Sequence, residues 1–512
     1  MQFITYRSSF TTYHFVLSLS DQLQDILDSL GGFGAEVWLT LGFCALLVAE
    51  LVVLRRGGEL AARRWLTVLT VFILLVATGL TVAEDVRGAL FQSLLFLDNQ
   101  AVFFKIVVAL GAVGVVLWET GDHRTRSERI ERTRRQLPTE WYAVLVGLVL
   151  GLFLMTMAVN LLAIYLSIEL VSISSYLLTG LAADRKASEG GLKYLLFGAV
   201  SSAVMLYGMS LLYGMTGTLD ITSTVFGVEL AKNGTVALVA LLLTTAGVLF
   251  KLSAVPFHIW TPDAYEAAPV PVAAFFSIGP KAAALLVLMR LLNALPVGDV
   301  QTPLAAIALA GILIGNLSAL RQTDAKRLLA YSTIAQAGFL LVGVVALTDA
   351  GFQAATFYAA TYLFITLAAF FLIEALAPAG TLRIADYAGR YVASPLLAVC
   401  LVVVALALTG LPPTVGFTAK LLSFTALFSA YQASGNPWLL WLFGLGLANA
   451  VISLFYYLRI PFLLFFRPLP TDATAAPVRL TVGQWFALGL TVPPVILFFL
   501  KPDWLLGLIA NL

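Results

Sequence analysis

The sequence predicts an all-α polytopic membrane protein of about 14 transmembrane helices. Three observations predict it. Of 512 residues, 60% are hydrophobic and 11% charged, with a mean hydropathy of +0.95, whereas soluble domains carry about 25% charged residues. The apolar residues fall in runs of about 20, long enough to cross a hydrocarbon core as helices. These runs do not alternate with period two, which excludes a strand barrel.

The elements follow in chain order. Residues 1–33 form an N-terminal extension with Arg7, a short mixed run, and Asp21, Asp25 and Asp28 at helical spacing. It lacks the longer apolar core and small-residue end of a cleavable signal, and reads as an amphipathic or poorly ordered extension. Residues 34–140 hold three peripheral helices (near 35–54, 65–83 and 101–118) and a charged loop. That loop mixes Arg124, Arg126, Arg129, Arg132, Arg134 and Arg135 with Glu119, Glu128, Glu131 and Glu140. Such mixed charge is a solvated loop that sets topology, not a nucleic-acid surface. Runs near 141–158, 161–181, 193–216, 235–257 and 270–293 make a first five-helix unit over 141–293. Runs near 303–320, 328–347, 353–376, 395–430 and 438–464 make a second over 303–465. One last helix, near 480–500, lies in the C-terminal segment 466–512.

Direction comes from the lysines and arginines of the loops. Arg55, Arg56, Arg63, Arg64, Arg185, Lys186, Arg321, Lys326, Arg327, Arg383, Arg390, Arg459, Arg467 and Arg479 all fall on one side with the charged loop. The other side holds little beyond Arg87 and Lys232, with Asp98, Asp220, Asp299 and Asp349. The basic side is expected to be cytoplasmic, and both termini periplasmic.

Two runs contain proline where a plain helix would not. One reads GVLFKLSAVPFHIWTPD, with Pro256; the other reads ALALTGLPPTVGFTAKL, with Pro412 and Pro413. An interior proline removes a hydrogen bond to the carbonyl four residues back, so Pro256 frees the carbonyl of Leu252. A freed carbonyl is tolerated in lipid only where protein or water satisfies it. Interrupted helices at matching places in two halves point to an inverted repeat with a path near the midplane. Each unit has an odd number of helices, so the second runs upside down relative to the first.

A charge at the middle of a membrane helix costs at least ~2.5–3.5 kcal/mol, and by default it marks function. Glu169 sits mid-span, with Tyr165, Ser172 and Tyr176 on its face; Lys251 lies just before the first break. Lys281 is inside the eighth span, Lys420 lies beyond the double proline, and Lys193 opens the sixth span. Lys105 and Arg290 lie nearer helix ends and are expected to snorkel to the headgroups. Desolvation lowers a lysine's proton affinity and a nearby carboxylate restores it, so glutamate and lysines in series suit a proton relay.

Other chemistry finds no support. The two cysteines, Cys44 and Cys400, have no metal-site spacing, and there is no nucleotide-binding glycine motif.

The motifs together resemble one family. FKLSAVPFHIWTPDAYEAAPVPVAAFFSIGPKAA, SIELVSISSYLLTG, EGGLKYLLFGA, AKRLLAYSTIAQAGFLLVG and LTGLPPTVGFTAKL resemble the antiporter-like subunits of bacterial NADH:quinone oxidoreductase, respiratory complex I. They are most similar to its N-type subunit. The M and L types read PFHTWLPDAH or PLHTWLPDAM at the break, and the M type carries glutamate where this chain has Lys420. The chain also lacks the long lateral helix and extra spans of the L type.

The resemblance implies a proton-translocating subunit of the bacterial inner membrane, among sibling antiporter-like subunits in the lipid bilayer, with no nucleic-acid partner. It implies no cofactor in this chain: NADH, FMN, iron–sulfur clusters and quinone belong to partner subunits. It assigns Glu169 as the fifth-span acid and Lys193 as a lysine bridging toward it. Lys251 becomes the proton shuttle, Lys281 the connecting group, Lys420 the terminal lysine, and His258 a group beside the break. Alternatives are a subunit of a multi-subunit cation/proton antiporter, the equivalent subunit of a photosynthetic ferredoxin-linked complex or a membrane hydrogenase, and a structural scaffold.

Overall fold

The computed structural model describes residues 19–119, 138–182, 184–294, 300–378, 381–469 and 477–512. Residues 1–18 of the expected extension, Asp299, and Arg124, Arg126, Arg129, Arg132, Arg134 and Arg135 lie outside the described residues, as do the side chains of Arg55 and Arg56. Among the described residues, twelve helical segments are long and apolar enough to cross a membrane, and Trp141–Met157 and Pro395–Thr409 are shorter apolar helices.

A short amphipathic helix, α1 (Leu19–Ser29), precedes α2 (Gly34–Ala83). α2 folds back on itself as two antiparallel helical arms, Gly34–Val52 and Arg63–Ala83. The indole of Trp38 donates to the carbonyl of Ile73 at 3.0 Å, and the Ala35 N–H to the Glu84 carboxylate at 3.3 Å. A small antiparallel hairpin follows, β1 (Gly88–Leu90) with β2 (Leu95–Leu97). The sequence reading had no strand here, because three residues on each side are too few to show an alternation. Phe91, Gln92 and Ser93, all at positive φ, make its tip.

Next come α3 (Asn99–Glu119), α4 (Trp141–Met157), α5 (Leu161–Gly180) and α6 (Arg185–Thr216). α6 starts eight residues before the apolar run, because Asp184 caps it, accepting from the Ala187 N–H at 2.7 Å. After the short α7 (Thr224–Lys232), α8 (Gly234–Leu252) stops at the first expected break, and α9 (Trp260–Ala267) resumes. The eighth run is also broken, into α10 (Val270–Phe276) and α11 (Gly279–Asn293). Pro280 explains this: lacking an N–H, it suits the first turn of a new helix.

The remaining helices are α12 (Gln301–Leu320), α13 (Ala325–Val345), α14 (Asp349–Leu376), α15 (Pro395–Thr409), α16 (Val415–Ser434) and α17 (Pro437–Tyr457). They are followed by α18 (Arg459–Phe466), α19 (Val482–Leu500) and α20 (Asp503–Ala510). Small residues let α12 and α13 approach closely: Gly315 lies against Ala335, and Gly338 against Ala308.

Val270–Met289 is buried along its whole length, and α13 and α14 are nearly so. These are the central helices. By contrast, Leu166, Ile173 and Leu177 of α5 and Leu195, Leu196 and Val200 of α6 face outward, as lipid-facing residues do. The polar chemistry sits where the broken helices meet the central ones.

Candidate functional site

At the first break, Leu252 is the last helical residue, and Ser253 takes the left-handed conformation (φ 58°). The Ala254 N–H reaches back to the Leu249 carbonyl (2.9 Å) and the Ser253 N–H to that of Phe250 (3.1 Å). These two bonds define a Schellman end. The carbonyl that Pro256 cannot serve, that of Leu252, accepts a hydrogen bond from Lys281 Nζ at 2.6 Å. Lys281 can reach it because α11 begins afresh at Gly279, two residues earlier.

The second break has the same construction. Thr409 is last, Gly410 is left-handed (φ 87°), and the N–H groups of Leu411 and Gly410 reach the carbonyls of Leu406 (3.0 Å) and Ala407 (3.1 Å). Pro412 and Pro413 leave the carbonyls of Leu408 and Thr409 without helical partners. Lys420 Nζ donates to both, at 3.1 and 2.6 Å, and Gln336 Nε2 also donates to Leu408, at 2.8 Å. In each case a buried ammonium caps the negative end of a helix dipole.

Lys251, Lys281 and Lys420 are 1%, 2% and 6% exposed, so none of them snorkels. Lys251 Nζ has no hydrogen-bond partner among the described residues. Instead it lies over three aromatic rings, Tyr176 (5.7 Å), Tyr194 (5.5 Å) and Phe250 (5.5 Å), a cation–π cage. Ser253 Oγ, His258 Nδ1, Thr261 Oγ1 and Tyr265 OH, all near this break, are likewise buried and unpaired among the described residues. His258, two residues after Pro256, sits beside the break.

Glu169 is half-buried, and its carboxylate accepts a short hydrogen bond from Ser202 of α6. Lys193 does not meet it. Nine residues separate Lys193 from Ser202 on the same helix, about 13 Å of axial rise. Lys193 pairs instead with Glu189 (2.8 Å) and Asp263 (3.1 Å).

Sequence reasoning missed the polar residues that connect Lys281 to Lys420. Lys281 Nζ lies 3.4 Å from the Thr333 carbonyl, and the Thr333 hydroxyl lies 3.4 Å from both Ser277 and Tyr362. Tyr358, one turn from Tyr362, donates to Gln336 Oε1 at 2.5 Å, and Gln336 reaches Tyr457 OH (2.9 Å) as well as Leu408. The signal was present in the sequence. Ser332, Thr333 and Gln336 share one helical face, as do Tyr358 and Tyr362.

Two expected snorkelling residues are in fact paired. Lys105 is fully buried against Glu36 at 2.7 Å, and Arg290 meets Asp98 at 2.7 Å. Their partners come from other helices or loops, which local spacing does not reveal. Among the described residues, no group of three or more His, Cys, Asp or Glu is placed to hold a metal ion.

Known proteins share this framework. The family model described as NADH:quinone oxidoreductase/Mrp antiporter, transmembrane, matches residues 158–452. NADH-quinone oxidoreductase subunit N of Anaeromyxobacter sp. (strain Fw109-5) is 38% identical, over 91% of this chain and 93% of that protein. The subunit N of Chlorobium chlorochromatii (strain CaD3) is also 38% identical, over 88% and 89%. A chain of respiratory complex I from Thermus thermophilus superposes with a TM-score of 0.76 at 29% identity, covering 93% of this chain and 99% of that one. A chain of the Mrp complex from Dietzia sp. DQ12-45-1b, at 20% identity and a TM-score of 0.77, covers 94% and 96% and shares the fold. The chain belongs to the NADH:quinone oxidoreductase/Mrp antiporter transmembrane family, and within it to the N subunits of NADH:quinone oxidoreductase.

Proposed function

We propose that this chain translocates protons across the bacterial inner membrane, driven by NADH oxidation and quinone reduction in partner subunits. The observation that carries the reading is the set of three buried lysines at the two broken helices: Lys281 is bonded to the carbonyl of the residue after Lys251, and Thr333, Tyr362, Tyr358 and Gln336 lie between Lys281 and Lys420. Glu169, Lys251, Lys281 and Lys420 are the relay groups, with Lys193 and His258 beside it. NADH, FMN, iron–sulfur clusters and quinone reside in the partners, among them sibling antiporter-like subunits. The basic loops face the cytoplasm and both termini the periplasm.

The chemistry follows from like-charge repulsion in a low dielectric. Lys281 is bound to the carbonyl of the residue directly after Lys251. A proton loaded on Lys251 therefore makes the positive charge on Lys281 costlier and drives it toward Thr333, Tyr362 and Gln336. Lys420 receives it at the second break. Each proton moved against 100 mV requires ~2.3 kcal/mol, which the redox partners supply. Residues 141–293 and 303–465 are the two inverted units; the matching helix ends at Leu252 and Thr409 support this division.

The test is Lys251→Ala in the assembled complex, with quinone reduction and proton uptake measured together in vesicles. Loss of pumping with assembly intact is the expected result. Normal activity and stoichiometry would sink the relay.

A second reading has its own support. NAD(P)H-quinone oxidoreductase subunit 2 of Microcystis aeruginosa (strain NIES-843 / IAM M-2473) is 36% identical over 92% of this chain. Assaying the complex with NADH and with reduced ferredoxin as alternative donors separates the two.

A further inference from the structure

The ion pairs at the basic end converge on one short helix. α9 carries two charges, Asp263 and Glu266, and both are held from two sides. Asp263 meets Lys193 of α6 and Arg327 of α13, each at 3.1 Å. Glu266 meets Lys186 of α6 at 2.7 Å, and the same Arg327. Lys326 Nζ donates to the Ala268 carbonyl at the end of α9, at 2.7 Å. Gly190 of α6 lies so close to Ala267 that a Cβ would not fit. Exposed ion pairs contribute little singly. Here four of them, two made by the one arginine Arg327, pin a helix of eight residues between the two five-helix units.

The other end of α9 reaches the cage of Lys251. Trp260, its first residue, stacks on Tyr194 (4.0 Å between centroids, 4° between planes) and donates Nε1 to the Phe250 carbonyl at 3.2 Å. Tyr194 and Phe250 are two of the three rings around the Lys251 ammonium. A displacement of α9 therefore moves the wall of that cage. The register of the breaks adds a second argument. Counted from the last helical residues, Leu252 and Thr409, the eleventh residue onward is Asp263 in one and Lys420 in the other. Both breaks carry a charge at that place.

We infer that Asp263 and Glu266 are positioning residues that form a charge latch. The latch holds Trp260 against Tyr194, fixing the cage of Lys251, and its release opens the first break toward the basic side. Lys193 then belongs to the latch, not to a direct pair with Glu169. This inference rests on Lys251 as a proton carrier.

The experiment uses the whole complex with the double variant Asp263→Asn, Glu266→Gln. Amide hydrogen exchange over 253–267 is read beside the proton-to-electron ratio in vesicles. Exchange should rise about ten-fold or more, as expected for local opening, and the ratio should fall by about half or more. Asp263→Glu, which keeps the charge, should preserve both. Unchanged exchange overturns the latch, and faster exchange with an unchanged ratio overturns its link to Lys251. If the double variant does not assemble, Lys193→Gln removes one arm alone. It should shift both readouts in the same direction, and no shift in either overturns the proposal. Failure of the relay itself would appear separately, as normal pumping by Lys251→Ala.

Discussion

Lys281 and Lys420 each do two jobs that a single substitution can separate. As donors they satisfy carbonyls left open by Pro256, Pro412 and Pro413; as ammonium groups they can hold a proton. Lys281→Met removes both, and leaving the Leu252 carbonyl unpaired should cost ~1–3 kcal/mol. Lys281→Gln keeps a donor and removes the charge. The expected outcome is a lower unfolding temperature and lost pumping for Lys281→Met, but near-normal unfolding and lost pumping for Lys281→Gln, read by thermal melts of the complex beside vesicle assays. Equal melts for the two variants would refute the capping role. The lysines themselves were legible in the sequence, because an ionisable group amid apolar helix is costly enough to stand out. Their partners were not. The family resemblance makes Lys193 a lysine bridging toward Glu169, yet it is anchored about 13 Å along α6 from Ser202, the residue bonded to Glu169, and pairs with Asp263. Lys105 looked like a snorkelling end group until Glu36, from a different helix, was placed beside it.

Helix interruption is a property of elements, and here local chemistry was a good guide. The breaks after Leu252 and Thr409 follow from prolines that a reader of the sequence can place to the residue. The break between α10 and α11 lies inside a run long enough to read as one span, although Pro280 marks it. The hairpin at Gly88–Leu97 was too short for its pattern to register. Replacing Pro412 and Pro413 together by Ala restores two backbone donors and lets α15 run on toward α16. Amide exchange at 408–416 should then slow, Lys420 should lose its carbonyl partners, and the proton-to-electron ratio should fall in vesicles. An unchanged ratio despite slower exchange would show that the second break is not part of the path.

Over the whole molecule, buried charge also fastens the peripheral helices to the rest. Glu36 lies in the first arm of α2 and Lys105 in α3, and the lysine lies over the Phe153 ring of α4 at 5.6 Å. The pair is fully buried, so removing one member leaves an uncompensated charge at ~3–5 kcal/mol, whereas replacing both by apolar residues is close to neutral. Glu36→Gln should therefore lower the unfolding temperature of the complex, and Glu36→Leu with Lys105→Met should restore it, both with an unchanged proton-to-electron ratio. A changed ratio in the restored double variant would mean that this pair takes part in conduction. The membrane class and the two proline breaks were readable from composition and spacing. The tyrosine and glutamine bridge between Lys281 and Lys420 was not, since it is assembled from faces of separate helices that meet only in the folded bundle.

The capped breaks have a mechanical consequence. The ammonium that would carry the proton is also the tie that closes an open helix end; the neutral amine it leaves still donates but loses the charge that favours the helix's negative end, so the tie weakens with the charge. A subunit that has just given up a proton is, for that moment, a softer subunit. Softness can be felt by a neighbour through contact alone. Neighbouring subunits in such an assembly could thus keep time with one another without ever passing a proton between them.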